Sequence, residues 1–205
     1  MTPEPFRPLP ETVEVNGRTV PVETDFRMGI AVEQELLTRE EPDLAGLLAR
    51  FYPDGVPADL PAALEAMTAF WRGADETAET PKAAPAGKGG RWYDFAQDAD
   101  VLLSSFLTCY GLDLSTVRLH WWTFRRLMLN LPADSPFMQR VHYRVADLSK
   151  LGKEERKRYR KLKELYRVRE PIRRRTGARG GAEEMRQRTL KRYEEARRHA
   201  EEQGP

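Results

Sequence analysis

Residues 92–131 read WYDFAQDADVLLSSFLTCYGLDLSTVRLHWWTFRRLMLNL, and they hold three of the four tryptophans and the one cysteine. Asp94 is a good helix N-cap, with Gln97 at the capping-box position three residues later. Gly111 lies where a left-handed C-cap would end the helix. Between them, apolar residues recur at helical spacing: Phe95, Ala99, Leu102, Leu103, Phe106 and Tyr110. The pattern predicts one amphipathic helix.

A second helix is predicted directly after it, with Asp113 or Ser115 as its N-cap. Its apolar residues cover more than one stripe: Val117, Leu119, Trp121, Trp122, Phe124, Leu127, Met128, Leu129 and Leu131. A helix that is apolar on most sides is normally buried on most sides. We therefore expect this helix to be the central, nearly surrounded one in a mainly α-helical bundle.

The composition is typical of a soluble chain, with 32% charged residues among 205 and a mean hydropathy of −0.67. This length suits one ordinary domain with appendages. The sequence contains no run of about eighteen apolar residues, so it predicts no membrane-spanning helix. The first residues lack a secretory signal, and the single cysteine, Cys109, fits a reducing compartment. We expect a cytoplasmic protein.

The charges are distributed unevenly along the chain. Residues 1–80 contain 6 Lys or Arg against 16 Asp or Glu, whereas residues 151–205 contain 19 against 10. Such asymmetry predicts a contact with a partner, a head-to-tail self-contact or an exposed basic arm.

The first seventy residues predict a small β-hairpin followed by three helices. Alternating residues on both sides of Asn16 and Gly17 are typical of a hairpin with a type I′ turn. Pro21 restricts its strand to an edge or a terminus. Helix starts are marked at Thr24 or Asp25, at Pro42 and at Asp59, and Gly73 closes the third helix.

The rest of the chain predicts a linker, two further helices and an arm. Residues 74–90 carry no large apolar side chain and are interpreted as a flexible surface linker. Ser135 before Pro136 predicts a short apolar helix, and residues 149–168 predict a helix that mostly faces water. The predicted organisation is an N-terminal extension (1–9), a helical domain (10–168, containing the linker) and a basic, mostly polar helical arm (169–205).

No residue pattern supports catalysis, a metal site or a cofactor. His120 and His142 belong to no His-Glu-x-x-His frame, so a hydrogen-bonded core histidine is favoured for His120. Cys109 has no nucleophile signature and is interpreted as a buried thiol. The GKGG at 87–90 lacks the frame of a phosphate loop. We expect a protein that is not an enzyme and needs no cofactor.

Three aspartates near the start of the first helix have the composition of a metal site, but Asp94 is explained as a helix cap. The other two are Asp98 and Asp100. For Asp98 we predict a buried ion pair with Arg125 or Arg126 of the second helix, which would fix the register of the two helices.

The basic run 156–163 and the cluster 173–175 are the best nucleic-acid candidates. Glutamates are interspersed among these cations, and no recognition motif accompanies them. A solvated helical face is favoured, so nucleic acid is not the expected partner.

Several motifs recur in the order found in one bacteriophage family. They are Thr24-Asp25-Phe26-Arg27, Tyr93-Asp94-Phe95 with Asp98, Phe106, Tyr110-Gly111-Leu112-Asp113-Leu114, Leu119-His120-Trp121-Trp122-Thr123-Phe124, and Tyr143-Arg144. Over about residues 10–168 the chain therefore resembles the "gene product fifteen" family of long-tailed bacteriophages and prophages. The Leu-His-Trp-Trp-x-Phe element is the most distinctive part of this resemblance.

The resemblance implies a tail-morphogenesis protein encoded between the tail-tube protein and the tape-measure protein. That position is typical of tail assembly chaperones, which cover apolar tape-measure helices and are absent from the finished particle. The implied partners are the tape-measure protein, the tail-tube protein and an upstream chaperone subunit, and self-association stays open. The implied place of action is the host bacterial cytoplasm during phage assembly.

A chaperone of this kind needs an apolar groove between helices, because tape-measure helices expose repeated apolar stripes. Aromatic side chains suit such a groove. Five of them flank the linker or lie off the main helix stripe and are candidates for the protein-interaction site: Phe70, Trp71, Trp92, Tyr93 and Trp122. The alternative for all five is the core. The alternative function is a structural or nucleic-acid-contacting particle component that uses the basic arm.

Overall fold

The computed structural model describes residues 8–39, 42–73 and 91–169. These residues belong to two compact units, one within 8–73 and one within 91–169. The predicted linker 74–90 and nearly all of the predicted arm lie outside the described residues. The prediction of one helical domain over residues 10–168 stays a prediction.

The first unit begins with the predicted hairpin. Strand β1 (Thr12–Val15) pairs antiparallel with β2 (Arg18–Pro21). Asn16 and Gly17 have φ values of 50° and 74°, the left-handed conformations that a type I′ turn requires. The Asn16 Nδ2 group donates a hydrogen bond of 2.9 Å to Asp59 Oδ2, which ties the turn to the helical part of the unit. The hairpin prediction is confirmed.

Three helices follow the hairpin: α1 (Phe26–Thr38), α2 (Leu44–Phe51) and α3 (Leu60–Arg72). Each begins after an aspartate, Asp25, Asp43 or Asp59, whose carboxylate accepts a backbone N–H of the first turn. Pro42 therefore precedes the cap of α2, and its prediction as a first-turn residue is wrong. Gly73 ends α3 as predicted, with φ of 90°.

The core of the first unit contains side chains from β1, from all three helices and from the residues that follow β2 and α2. Buried members include Val15, Val22, Phe26, Met28, Val32, Leu44, Leu47, Leu48, Phe51, Tyr52, Ala63, Leu64, Met67 and Phe70. Tyr52 Oη donates to the Ala63 carbonyl at 2.7 Å, and burial raises the pKa of this phenol to about 12. A buried hydroxyl needs such a partner, because leaving it without one costs free energy.

The second unit contains α4 (Phe95–Tyr110), α5 (Trp121–Leu129), α6 (Pro136–Val145), a short 3-10 helix (Leu148–Lys150) and α7 (Lys153–Leu165). Asp94 Oδ1 accepts the backbone N–H groups of Ala96 and Gln97, and Gly111 ends α4 with φ of 66°. Ser135 caps α6, as predicted. The mainly helical class with an N-terminal hairpin is confirmed, and no described helix is long and apolar enough to cross a bilayer.

The predicted start of the second helix is wrong. Asp113 accepts hydrogen bonds from the backbone N–H and the hydroxyl of Ser115, so the chain makes an isolated turn there. Helix α5 begins eight residues after Asp113, at Trp121, where His120 Nδ1 accepts the Trp122 N–H at 3.1 Å. Local side-chain hydrogen bonds of Asp and Ser compete with helix formation, which explains the shorter helix.

Helix α5 is also less enclosed than expected. Only Trp121, Phe124 and Met128 are buried, and they lie on one face. Phe124 stacks on Phe106 of α4 with ring centroids 5.2 Å apart. Five of the other residues of α5 are half-buried and Arg126 is exposed, so the helix is partly enclosed on most sides. Its prediction as the central helix is wrong, because the most extensive backbone approaches in this unit are those of α6 to α4 and α7.

Candidate functional site

A buried carboxylate, Asp98, organises the second unit. Its side chain is 1% exposed and accepts two hydrogen bonds from Arg144, one from Nη1 to Oδ2 at 2.5 Å and one from Nη2 to Oδ1 at 2.8 Å. Arg140 Nη1 adds a third bond at 3.0 Å, and the backbone N–H of Asp94 adds a fourth at 2.9 Å. Both carboxylate oxygens therefore have two donors, as a buried charge requires.

The predicted partner of Asp98 was on the wrong helix. Arg140 and Arg144 belong to α6, whereas Arg125 of α5 lies over the Trp121 ring, 5.7 Å from its centroid. The backbones of α4 and α6 approach each other more extensively than those of α4 and α5. Packing between distant helices thus selects which arginine reaches the carboxylate.

The electrostatics of Asp98 follow from these contacts. Burial by itself raises the pKa of this carboxyl, because it penalises the charged form. Arg144 opposes this effect through its hydrogen bonds and its charge, and the Asp94 N–H and Arg140 oppose it through hydrogen bonds. Together they outweigh burial and hold the pKa of Asp98 below its ordinary value. Asp98 is therefore ionised at neutral pH.

The segment after α7 is bound to the same group of residues. Arg144 Nε donates to the Tyr166 carbonyl, and the Tyr166 ring stacks on Tyr143 at 5.9 Å. The Gln97 amide donates to the Arg169 carbonyl and accepts the Arg169 N–H, each at 3.2 Å. The predicted capping-box role of Gln97 is wrong, because Asp98 accepts the Asp94 N–H instead.

The other residues of the sequence motifs hold helix starts and turns. Asp25 caps α1 and pairs with Arg27 at 3.1 Å, and the Arg27 guanidinium lies 4.5 Å from the Phe26 ring centroid. Tyr110 Oη donates to the Leu127 carbonyl at 2.9 Å, which links α4 to α5. The motifs therefore combine local caps with contacts between helices.

Two predicted core groups are more accessible than expected. His120 is half-buried and acts as the N-cap of α5. Cys109 is partly exposed and carries a free thiol. Within the described ranges, no three His, Cys, Asp or Glu side chains are grouped so that they could hold a metal ion.

Comparison with known proteins decides the family. The model of the bacteriophage Gp15 protein family matches residues 7–168. The chain belongs to the bacteriophage Gp15 family. Membership makes it a bacteriophage structural or morphogenesis protein. No curated protein and no solved structure gave a match.

The five aromatic candidates of this Gp15 chain lie in different environments. Phe70 is buried at 6% exposure and packs edge-to-face on Phe51 in the first unit, where Trp71 is half-buried. In the second unit Trp92, Tyr93 and Trp122 are all half-buried. Phe70 thus fits the core, whereas the other four present part of their surface; their role in binding stays a prediction.

Exposed leucines form a second candidate surface on the Gp15 chain. Leu103 and Leu107 of α4 are 38% and 56% exposed, and they lie one helical turn apart on one face. The prediction that Leu103 belongs to the buried stripe of α4 is wrong. The sequence signal for this surface is the spacing of four residues between the two leucines. Both lie outside the main aromatic stripe of α4.

A basic cleft lies beside the end of α7 in the Gp15 chain. It encloses about 540 Å³ and is lined by Arg91, Arg144, Arg160, Lys163, Glu164, Arg167 and Val168. A smaller cleft next to it is lined by Glu164, Leu165, Arg167 and Arg169. Leu165 is 70% exposed there. The end of α7 therefore combines positive charge with apolar surface.

Proposed function

We propose that this Gp15-family protein is a tail assembly factor that binds the tape-measure protein as a chaperone, without enzymatic activity, in the cytoplasm of the infected bacterium. Membership of a bacteriophage structural or morphogenesis family supports the general role. The observation that carries the specific role is the exposed Leu103–Leu107 pair on α4. A partner that covers these two leucines removes apolar surface from water, which stabilises the complex.

The geometry of this pair suits a helical client. Two leucines four residues apart form a ridge along α4, and ridges of this kind pack against the apolar stripe of another helix. The polar neighbours Ser104 and Thr108 are exposed beside them, so the apolar surface has a polar border. Half-buried Trp122 of α5 is a further candidate contact. A rim of polar groups around an apolar centre is the usual anatomy of a protein interface.

Co-expression tests this proposal directly. The tape-measure protein encoded beside this chain is produced with and without it, and the soluble fraction of the tape-measure protein is measured. We expect the tape-measure protein to be soluble only when this chain is present, and Trp122→Ala to reduce the effect. Equal solubility with and without the chain would show that the chaperone role is wrong.

The alternative is a structural or nucleic-acid-contacting particle component, and the exposed cations of α7 favour it. Mass spectrometry of purified particles separates the two roles. A chaperone is present in lysates and absent from particles, whereas a structural component is present in particles in a fixed ratio to the tube protein.

A further inference from the structure

Two cations of the basic cleft at the end of α7 make little contact with the described residues. Arg144 is occupied by Asp98, and Arg91 pairs with Asp94 at 3.3 Å. By contrast, Arg160 makes no hydrogen bond or ion pair with any described residue. Among the described residues, the Arg167 guanidinium has only a 3.9 Å contact, with the Glu164 carboxylate, and both side chains are more than two-thirds exposed. Such a surface pair contributes little to stability.

The charge of the cleft suits a protein surface better than a nucleic acid. Glu164 lies inside the cleft and offsets part of its positive charge, so the cleft matches the sparse carboxylates of a protein surface and not the dense charge of a phosphate backbone. Buried Val168 lines the wall, and exposed Leu165 lies in the adjoining cleft, so apolar contacts are available as well. Nucleic-acid affinity normally needs many cations along a stripe, whereas two arginines and an apolar wall suit an acidic protein patch.

The chain itself carries an acidic partner of this kind. Residues 1–80 contain 16 Asp or Glu against 6 Lys or Arg. Among the described residues of the first unit, exposed carboxylates include Glu11, Glu14, Asp54 and Glu65. Charge complementarity between two surfaces raises the rate of association and fixes its register.

We propose that the cleft around Arg160 and Arg167 binds the acidic first unit of a second copy of this chain, so that the protein self-associates head to tail. Because the cleft and the acidic unit are different surfaces, the contact is heterologous. Such a contact closes into a ring, of which a reciprocal dimer is the smallest, or extends into a filament. This inference does not rest on the chaperone role.

Sedimentation velocity of the full chain measures the mass of the assembly at about 0.05 M and at about 0.5 M salt. Raising the salt concentration between these two values shortens the Debye length roughly three-fold. The cleft variant carries Arg160→Glu with Arg167→Glu. The matched control carries Lys157→Glu with Lys161→Glu, which makes the same charge change on exposed positions of α7 that do not line the cleft. Circular dichroism checks that both variants keep their helices.

The expected result is a mass that rises with protein concentration at low salt and falls to the monomer at high salt. The cleft variant should associate at least about ten-fold more weakly, and the control should resemble the unchanged protein. A monomer at both salt concentrations, or equal loss in both variants, would overturn the proposal. Binding to duplex DNA that is lost only in the cleft variant, with self-association unchanged, would also overturn it and assign the cleft to nucleic acid.

Discussion

Arg144 binds Asp98 through two parallel hydrogen bonds, and this pair joins α6 to the first turn of α4 across 46 residues of sequence. The two side chains are 6% and 1% exposed. Arg144 also donates to the carbonyls of Trp92 and Tyr166, so one guanidinium connects the entry to α4 with the exit from α7. This buried ion pair, with the further bond from Arg140 to Asp98, therefore ties together α4, α6 and the segment after α7.

Removal of one partner of this pair should be strongly destabilising. We expect Asp98→Ala to lower the free energy of unfolding by about 3–5 kcal/mol, because it leaves Arg144 buried without its counter-charge. Urea unfolding followed by tryptophan fluorescence measures this. The control is Lys150→Ala, which removes an exposed pair with Asp147 at 3.9 Å and should cost less than about 1 kcal/mol. Similar costs for the two variants would contradict the role of Asp98.

The same pair predicts a pH dependence. The pKa of Asp98 is lower in the folded protein than its ordinary value of about 3.9, so the unfolded chain binds its proton more readily. The stabilisation is therefore fully present above about pH 5 and is lost as the pH falls through the folded-state pKa. We expect the stability difference between the unchanged protein and Asp98→Asn to be constant from neutral pH to about pH 5 and to shrink below about pH 4. A stability difference that stays constant below about pH 4 would contradict this role of the Asp98 carboxylate.

Gly111 is predicted to be required for its backbone conformation alone. Its φ of 66° is left-handed, and a Cβ atom built there meets nothing within 4 Å. Gly111→Ala should therefore cost about 1–2 kcal/mol through strain, measured by thermal unfolding. Gly111→Asn should cost clearly less, since asparagine tolerates this conformation. Equal costs would point to a steric cause instead.

The contact between Gln97 and Arg169 predicts a local change in hydrogen exchange. We expect Gln97→Ala to expose the Arg169 N–H and to speed its exchange by about five-fold, the effect of losing a hydrogen bond worth about 1 kcal/mol. NMR detection of the Arg169 amide measures this. The control is Gln139→Ala, which removes a hydrogen bond from this α6 side chain to the carbonyl of Asp134, before the helix. Unchanged exchange at Arg169 in Gln97→Ala would show that the 166–169 segment is held by other contacts.

Features encoded by a few adjacent residues were predictable from the sequence. The turn at Asn16 and Gly17, the cap at Asp94, the C-cap at Gly111 and the start of α6 at Ser135 all appear where expected. Each depends on a local hydrogen bond or on a backbone conformation that few residue types adopt. Such signals are independent of the rest of the fold.

Features that depend on packing between distant elements were not predictable in the same way. The sequence offered arginines on both α5 and α6, and only the docking of α6 on α4 decides that Arg144 reaches Asp98. The start of α5 differs from the predicted one because the local bonds of Asp113 compete with the helix. The exposure of Leu107 also required the structure, since it depends on which side of α4 the neighbouring helices leave uncovered.

Co-expression with surface variants of α4 tests whether the Leu103–Leu107 face binds the tape-measure protein. The soluble fraction of the neighbouring tape-measure protein is measured with Leu103→Asp combined with Leu107→Asp, and with the matched control Ser104→Asp combined with Thr108→Asp. All four positions are exposed on α4, so both variants should fold and carry the same added charge. We expect the leucine variant to lose most of the solubilising effect and the control to retain it. Equal soluble fractions with the two variants would contradict the claim that this face of α4 receives the client.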